Sequence, residues 1–266
     1  MVDVCMVVCT FAQQETCPRT NLTKRCLRSL EKLKIRYGER LFIAAWDNHS
    51  NETFLEYLRQ QSWIDRIFAN DKNFFDFGAV HALSALSTRL KAPYVIYCND
   101  DIEFFNFEFL DDSIEILKSQ PRAGYIRLNL FDFNQLHIFD KASKHKDRDS
   151  ANSQRMYNWV SKKPIDFVRI PDKSKYEFYS TNMHWTLFPG LCKAEIFNAL
   201  CPFRDYRPLQ HLEGFMMDRY HLLGLATLQL NGGVCQHLGT PELSARMKST
   251  SSPVVSWKKT QEAIQN

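Results

Sequence analysis

Hydrophobic positions in the first hundred residues follow two alternating patterns. Short strand-like runs occupy 4–9, 41–46, 64–69 and 94–98, all unbroken and apolar except 64–69, which Asp65 and Arg66 interrupt. Runs of that length, apolar on both faces, predict buried strands. Between them the apolar residues recur at helical spacing. The first such segment carries Leu22, Cys26, Leu27, Leu30 and Leu33 on one face, and the second, 51–61, turns Phe54, Leu55 and Leu58 inward. The third follows Asp76, read as its N-cap, and carries Val80, Leu83, Leu86 and Leu90. Strands alternating with helices of this length predict βαβ units and a parallel sheet. Ligands of such sheets bind beyond the carboxyl ends of the strands, where the strand order reverses.

Past Cys98 the pattern loosens. A helix is predicted near 110–119, a strand at 125–130, further regular patterning at 185–188, and a helix from Lys193. Another helix covers 213–223 and a strand 226–230. Residues 140–180, rich in Lys, Asp, Ser and Asn, read as a mobile insertion with a short helix around 153–160. From Pro241 the chain is polar, with Ser252 and Pro253 placed as an N-cap and first helical residue. The expectation is one α/β domain over 1–240, divided into 1–103 and 104–240, with a tail at 241–266.

Composition narrows the function classes. The chain has 266 residues, 44% hydrophobic and 24% charged, with a net charge of +4. No run approaches the roughly 20 apolar residues of a membrane-spanning helix. The weak, unclustered basic balance favours an anionic small molecule over nucleic acid as partner. Among the nine glycines there is no G-x-G spacing, and no G-K-[ST] occurs. That argues against dinucleotide-binding dehydrogenases and P-loop enzymes. The eight cysteines form no C-x-x-C pair and sit mostly in apolar runs, where a free thiol behaves as a small hydrophobe. With no basic, signal-like start, they read as reduced cysteines of an intracellular, cytoplasmic protein. The glycosylation sequons at Asn21, Asn48 and Asn51 then read as chance matches.

The strongest chemical signal is YVIYCNDDIE, in which an apolar strand ends in Asn99, Asp100 and Asp101 with Glu103 close behind. Like charges this close repel, and an oxygen-ligated divalent cation relieves them; Mg²⁺ or Mn²⁺ completes its shell with substrate phosphates and water. Thr10 follows the first strand, and Asp47 with Asn48 follows the second. Hydroxyl, carboxylate and metal-type acids thus fall on one edge of one sheet.

The succession VVCTFAQ, LFIAAWDNHSNET, RIFANDKNFFDFG and YVIYCNDDIEF resembles the nucleotide-sugar-binding half of GT-A glycosyltransferases, most of all the inverting family 2 and its relatives. The resemblance implies a mixed, mainly parallel Rossmann-like sheet flanked by helices. It implies nucleotide-sugar roles for Thr10, Asp47, Asn73, Gly78, Asn99 and Asp100, and a metal, Mn²⁺ or Mg²⁺, on Asp101. Asn99 stands where the family's DxD motif has Asp. The segments FPGLCKAEIFNALCPF and HLEGFMMDRYHLLGLATLQLNGGVCQHLGT extend the resemblance to about residue 240. They imply a catalytic acid at Glu213, with Gly214 in place of the family's second acid, so the general base stays open among Glu213, Asp218 and Asp205, with Glu213 favoured. His237 is implied as a metal or diphosphate contact; His81, His184 and His211 are weaker candidates. Arg246 and Lys248 are placed to close over a diphosphate. Tyr157, Trp159, Tyr176, Tyr179 and Trp185 are candidate sugar platforms for the acceptor. The implied activity moves a sugar from a nucleoside diphosphate sugar to a glycan or other hydroxyl acceptor with inversion. The competing readings are an inactive nucleotide-sugar-binding module and a nucleotidyltransferase. The lack of a Gly-rich basic loop after Cys9 counts against the latter.

Overall fold

Val4–Thr10 forms β1, and every one of its residues is buried. In the computed structural model, which describes residues 1–15, 17–129, 167–171, 174–181, 185–201 and 212–238, β1 is an interior strand of a mixed sheet. It pairs in parallel with β2 (Leu41–Asp47) on one side and with β4 (Tyr94–Asn99) on the other. β3 (Arg66–Ala69) extends the sheet beyond β2, also in parallel. Past β4 the order continues through β9 (Gly190–Lys193), β6 (Ala123–Arg127), β10 (Ala226–Leu230), β8 (Phe178–Thr181) and β7 (Phe167–Arg169). Of these contacts only β6–β10 is parallel; β9, β8 and β7 pair antiparallel with their neighbours. A two-stranded ribbon joins β5 (Ile102–Phe104) to β11 (Cys235–His237).

Successive β1 side chains point to opposite faces, and each face buries its own core. Val4, Met6 and Val8 meet Leu27, Leu30 and Leu33 of α1 (Pro18–Tyr37), Phe54 and Leu58 of α2 (Glu52–Arg59), and Leu117 of α4 (Leu110–Ser119). Cys5 and Val7 meet Phe77, Val80 and Leu83 of α3 (Phe75–Leu90), Phe197 of α5 (Ala194–Leu200) and Met216 of α6 (Leu212–Leu222). The predicted α/β architecture is therefore observed. No helix among the described residues is long and apolar enough to cross a membrane.

The helix starts follow local chemistry. Pro18 stands at the head of α1, and the Cys17 sulfur accepts from the Thr20 amide. Asn51 caps α2 by accepting from Phe54 N at 3.0 Å. Its amide nitrogen donates to the Ala12 carbonyl, and Asn48 is buried, so both side chains at these sequons are spent inside the fold. All eight cysteines are free thiols, and all but Cys17 are buried.

Several expectations need correction. Asp76 is not an N-cap: α3 begins one residue earlier, after Phe74, and Asp76 lies in its first turn. The strand foreseen at 125–130 runs over Ala123–Arg127, and the regular patterning expected at 185–188 is displaced, the next strand beginning at Gly190. The latter shift follows from packing, because Trp185 and Thr186 fill the core beside the sheet instead of pairing in it. Part of the expected insertion belongs to the sheet, since β7 and β8 form its far edge. Strands of three and four residues leave too short a pattern to read. The helix expected at 153–160 and the tail from 241 lie outside the described residues.

Candidate functional site

The order of the sheet reverses at β1, whose neighbours β2 and β4 lead in opposite directions. The carboxyl ends of β1, β2 and β4 therefore surround a crevice, where an α/β sheet binds its ligand. A cleft of about 280 Å³ opens there. Asn99, Asp100, Asp101 and His237 line one side; Asn73, Phe75 and Asp76 line the other, with Phe11 and Arg19 over the end of β1.

The floor is built from polar side chains that satisfy each other. Asp47 is fully buried: its Oδ1 accepts from the Thr10 hydroxyl at 3.0 Å and the Ser50 hydroxyl at 2.5 Å, and its Oδ2 from Ser50 N at 2.8 Å. Burial pushes the Asp47 carboxyl above its ordinary value, against those donors. Thr10 and Asp47 thus lie beneath the cleft, not on its surface. Asn48 is equally committed. Its oxygen accepts from Phe74 N at 3.0 Å and Trp46 Nε1 at 3.2 Å, and its nitrogen donates to the Phe75 carbonyl at 3.1 Å.

Those bonds hold an unusual backbone. Phe75 has φ 54°, a left-handed conformation that bulky residues avoid and that costs roughly 1–3 kcal/mol. Asn73 Oδ1 accepts from Phe75 N at 2.7 Å and secures the turn from the other side. Asn73 therefore both lines the cleft and fixes its wall. Gly78 lies one turn further into α3, away from the cleft. A Cβ there would sit 2.5 Å from Trp46 Cζ2, so its bare backbone admits the indole. Asp76 accepts from the Tyr97 hydroxyl at 2.6 Å. Burial first, then the negative charges of Glu213 and Asp101, outweigh that bond and raise its pKa.

The two acids that follow β4 have different roles. Asp100 Oδ2 accepts from Phe11 N at 3.1 Å and lies 3.0 Å from the Thr23 hydroxyl, while its Oδ1 pairs with Arg19. Burial raises its pKa to about 6 despite the Arg19 charge. Asp101 Oδ2 accepts from Arg19 Nη1 at 3.1 Å and lies 3.2 Å from His237 Nε2. Burial alone would raise the Asp101 pKa, but the His237 bond and the Arg19 charge bring it below the ordinary value. Its second oxygen, Oδ1, is buried with no hydrogen-bond partner among the described residues. Asp101 and His237 line the cleft with the imidazole against Asp101 Oδ2, and no cluster of three or more metal-type side chains forms among the described residues, so a divalent cation here would take two protein ligands and complete its shell with phosphate and water. Asp101 and His237 are the residues that would hold it.

Glu213 occupies the first turn of α6. Its Oε1 accepts from the Thr186 hydroxyl and from Leu187 N at 2.9 Å, whereas Oε2 makes no hydrogen bond among the described residues. The segment it holds ends in Phe188, whose ring meets His237 edge-on at 5.5 Å. Glu213 is thereby tied to the same rim as the Asp101–His237 pair. Asp218 is exposed on α6. His81 is fully buried with its ring 4.2 Å from Phe77, a packing residue. Trp185 is buried against Tyr125, which removes it as a sugar platform. Tyr176 and Tyr179 are half-buried, Tyr176 donating to Asn106 Oδ1. Tyr157, Trp159, His184, Asp205, His211, Arg246 and Lys248 lie outside the described residues. Sequence reasoning missed Arg19. Its signal was a cation in the first turn of a helix that enters directly over the acidic strand end.

No family model matches the chain, and no curated protein does. Solved structures do. Similar to it are S. aureus TarS (TM-score 0.55, 11% identity, 99% of this chain and 42% of that one) and a mannosyltransferase, PcManGT from Pyrobaculum calidifontis, in complex with GDP-Man and Mn²⁺ (TM-score 0.55, 10% identity, 99% and 68%). A third is glucosyl-3-phosphoglycerate synthase from Mycobacterium tuberculosis with Mn²⁺, UDP and glucosyl-3-phosphoglycerate (TM-score 0.51, 11% identity, 92% and 75%). The chain thus spans less than half of the TarS structure and about two thirds to three quarters of the other two.

Proposed function

We propose, from the GT-A fold that this chain shares with those structures, that it is a metal-dependent glycosyltransferase using a nucleoside diphosphate sugar. The observation that carries the reading is the Asp101–His237 pair, with its bare buried oxygen, at the switch point of the sheet. S. aureus TarS has been seen with UDP-GlcNAc, and two neighbours with Mn²⁺ and GDP-Man or UDP. These are the donor and ion classes expected here.

In this reading the aromatic faces of Phe11 and Phe75 and the amide of Asn73 receive the nucleoside. Asn99 and Asp100 meet the ribose side, while Thr10, Asp47 and Gly78 set the backbone on which these groups stand. A divalent cation on Asp101 and His237 would offset the charge that builds on the departing diphosphate. Glu213 removes the acceptor proton through its unbonded Oε2 as the acceptor oxygen attacks the anomeric carbon. The bond from that carbon to the diphosphate oxygen breaks, its electron pair leaving with the nucleoside diphosphate. Attack opposite the leaving group inverts the anomeric centre. Thr186 and Leu187 N fix the other oxygen of Glu213 and so aim the base.

Thermal denaturation against UDP, GDP, CDP, ADP and TDP, each with and without Mn²⁺, tests the donor site, since a ligand of the folded state raises its melting temperature. Stabilisation by one nucleotide that needs the metal and disappears in Asp101→Ala supports the reading. No shift with any nucleotide overturns it. Nucleotide binding without donor turnover would instead favour an inactive binding module.

A further inference from the structure

We propose that Arg19 is a positioning residue that makes metal binding depend on the donor: it stays on Asp100 and gives up Asp101 to the ion. This inference rests on the metal-dependent reading above.

Arg19 is placed against the preference of its own helix. It is the second residue of α1, whose first turn contains no acid. The helix dipole favours negative charge at that end, so a cation there is unfavourable for the helix itself. The compensation lies across the cleft, where one guanidinium nitrogen meets Asp100 and the other Asp101. Its third nitrogen, Nε, is buried with no hydrogen-bond partner among the described residues, where those two contacts hold the group.

The two contacts are unequal. Asp100 is fixed independently of Arg19 by Phe11 N and by Thr23, whose hydroxyl also lies 3.1 Å from the Arg19 carbonyl. That arrangement ties the head of α1 to Asp100. Asp101 meets Arg19 at 3.1 Å through the same oxygen that faces His237, and its other oxygen is bare. A cation drawn to Asp101 and His237 must share or displace the Arg19 contact, and it arrives beside a fixed positive charge. Both effects weaken the ion's hold on an empty cleft. A diphosphate reverses them, because its negative charge attracts the ion and offers the released guanidinium a new anionic partner. Coupling between ion and donor is reciprocal, so donor binding gains from the ion by the same factor.

Mn²⁺ titration of the full chain, followed by the electron paramagnetic resonance of the free ion, tests this without measuring turnover. Wild type, Arg19→Gln and Arg19→Lys are titrated alone and with UDP or GDP, and their metal-free melting temperatures are recorded. Arg19→Gln is expected to bind Mn²⁺ more tightly than wild type without nucleotide, on the order of tenfold. The gain that nucleotide adds should shrink by the same factor. Arg19→Lys keeps the charge near Asp100 but loses the planar fork, and should tighten Mn²⁺ binding by less. A purely structural Arg19 would lower the melting temperature and leave Mn²⁺ affinity unchanged or weaker, and that result overturns the inference. Should Arg19→Gln not fold, Arg19→Lys decides by the same criterion. Wild type that binds Mn²⁺ and nucleotide while the variants match it removes the Arg19 role alone. Wild type that binds neither removes the glycosyltransferase reading and this inference together.

Discussion

His237 Nε2 lies 3.2 Å from Asp101 Oδ2 because β11 pairs antiparallel with β5, setting His237 opposite Ile102. The Leu238 amide closes the register by donating to the Asp101 carbonyl at 2.7 Å. Two residues far apart along the chain are thus held as one unit by backbone bonds. Removing either side chain should have the same effect. Asp101→Asn and His237→Ala are each expected to abolish Mn²⁺-dependent stabilisation by nucleotide. Each should also lower kcat by roughly 10²–10³-fold, the loss typical of a group that stabilises developing charge. A combined variant much worse than either single one would show that the two act separately.

Glu213→Gln keeps an oxygen for Thr186 and Leu187 N but cannot accept a proton. Sugar transfer should fall by about 10²–10⁴-fold with nucleotide affinity preserved. Steady-state transfer read beside nucleotide titration separates the two quantities; a variant that keeps full activity assigns the base elsewhere.

Gly78→Ala tests whether that glycine serves the ligand or the core. The new Cβ would fall 2.5 Å from Trp46 Cζ2, and overpacking of this kind costs about 1–3 kcal/mol. The melting temperature should drop by several degrees. Nucleotide affinity measured well below the transition should hold, and a selective loss of affinity would place Gly78 at the donor.

Asp76 predicts a pH dependence of stability. Burial, with the charges of Glu213 and Asp101, raises its folded pKa above the ordinary 3.8, so the fold favours its protonated form. That contribution is complete below the ordinary value and is lost as pH rises through the raised one. Asp76→Asn stays neutral throughout and keeps an oxygen for the Tyr97 hydroxyl. Its melting temperature relative to wild type should therefore climb as pH rises from the ordinary carboxylate range, and a flat difference would refute the assignment.

The first half of the fold was legible because each central strand is buried on both faces and so reads as an unbroken apolar run. The strand-end rule then pointed to Asn99, Asp100 and Asp101 without knowledge of their partners. Partners are what sequence withholds. Thr10 and Asp47 stand at the expected strand ends, yet their polar atoms are turned on each other and on Ser50. Trp185 reads equally as platform or core, and only packing against Tyr125 decides. Arg19 escaped notice because its meaning lies in two acids far along the chain, and β5 and β11 because three residues leave no period to detect.

The brevity of that ribbon has one further consequence. His237 rides on a strand of three residues, joined to an equally short one and, by an isolated bridge from Cys235, to Asn129 just past the end of β6. Short pairings of this kind sit at the low end of local stability and open without global unfolding. An ion clasped between Asp101 and His237 would act as a rivet across the pair. The amides of Leu238 and Phe105, which donate across the ribbon to the Asp101 and Val234 carbonyls, should then exchange with deuterium freely in the bare protein and slowly in the loaded one, so the backbone itself would report whether the cleft is filled.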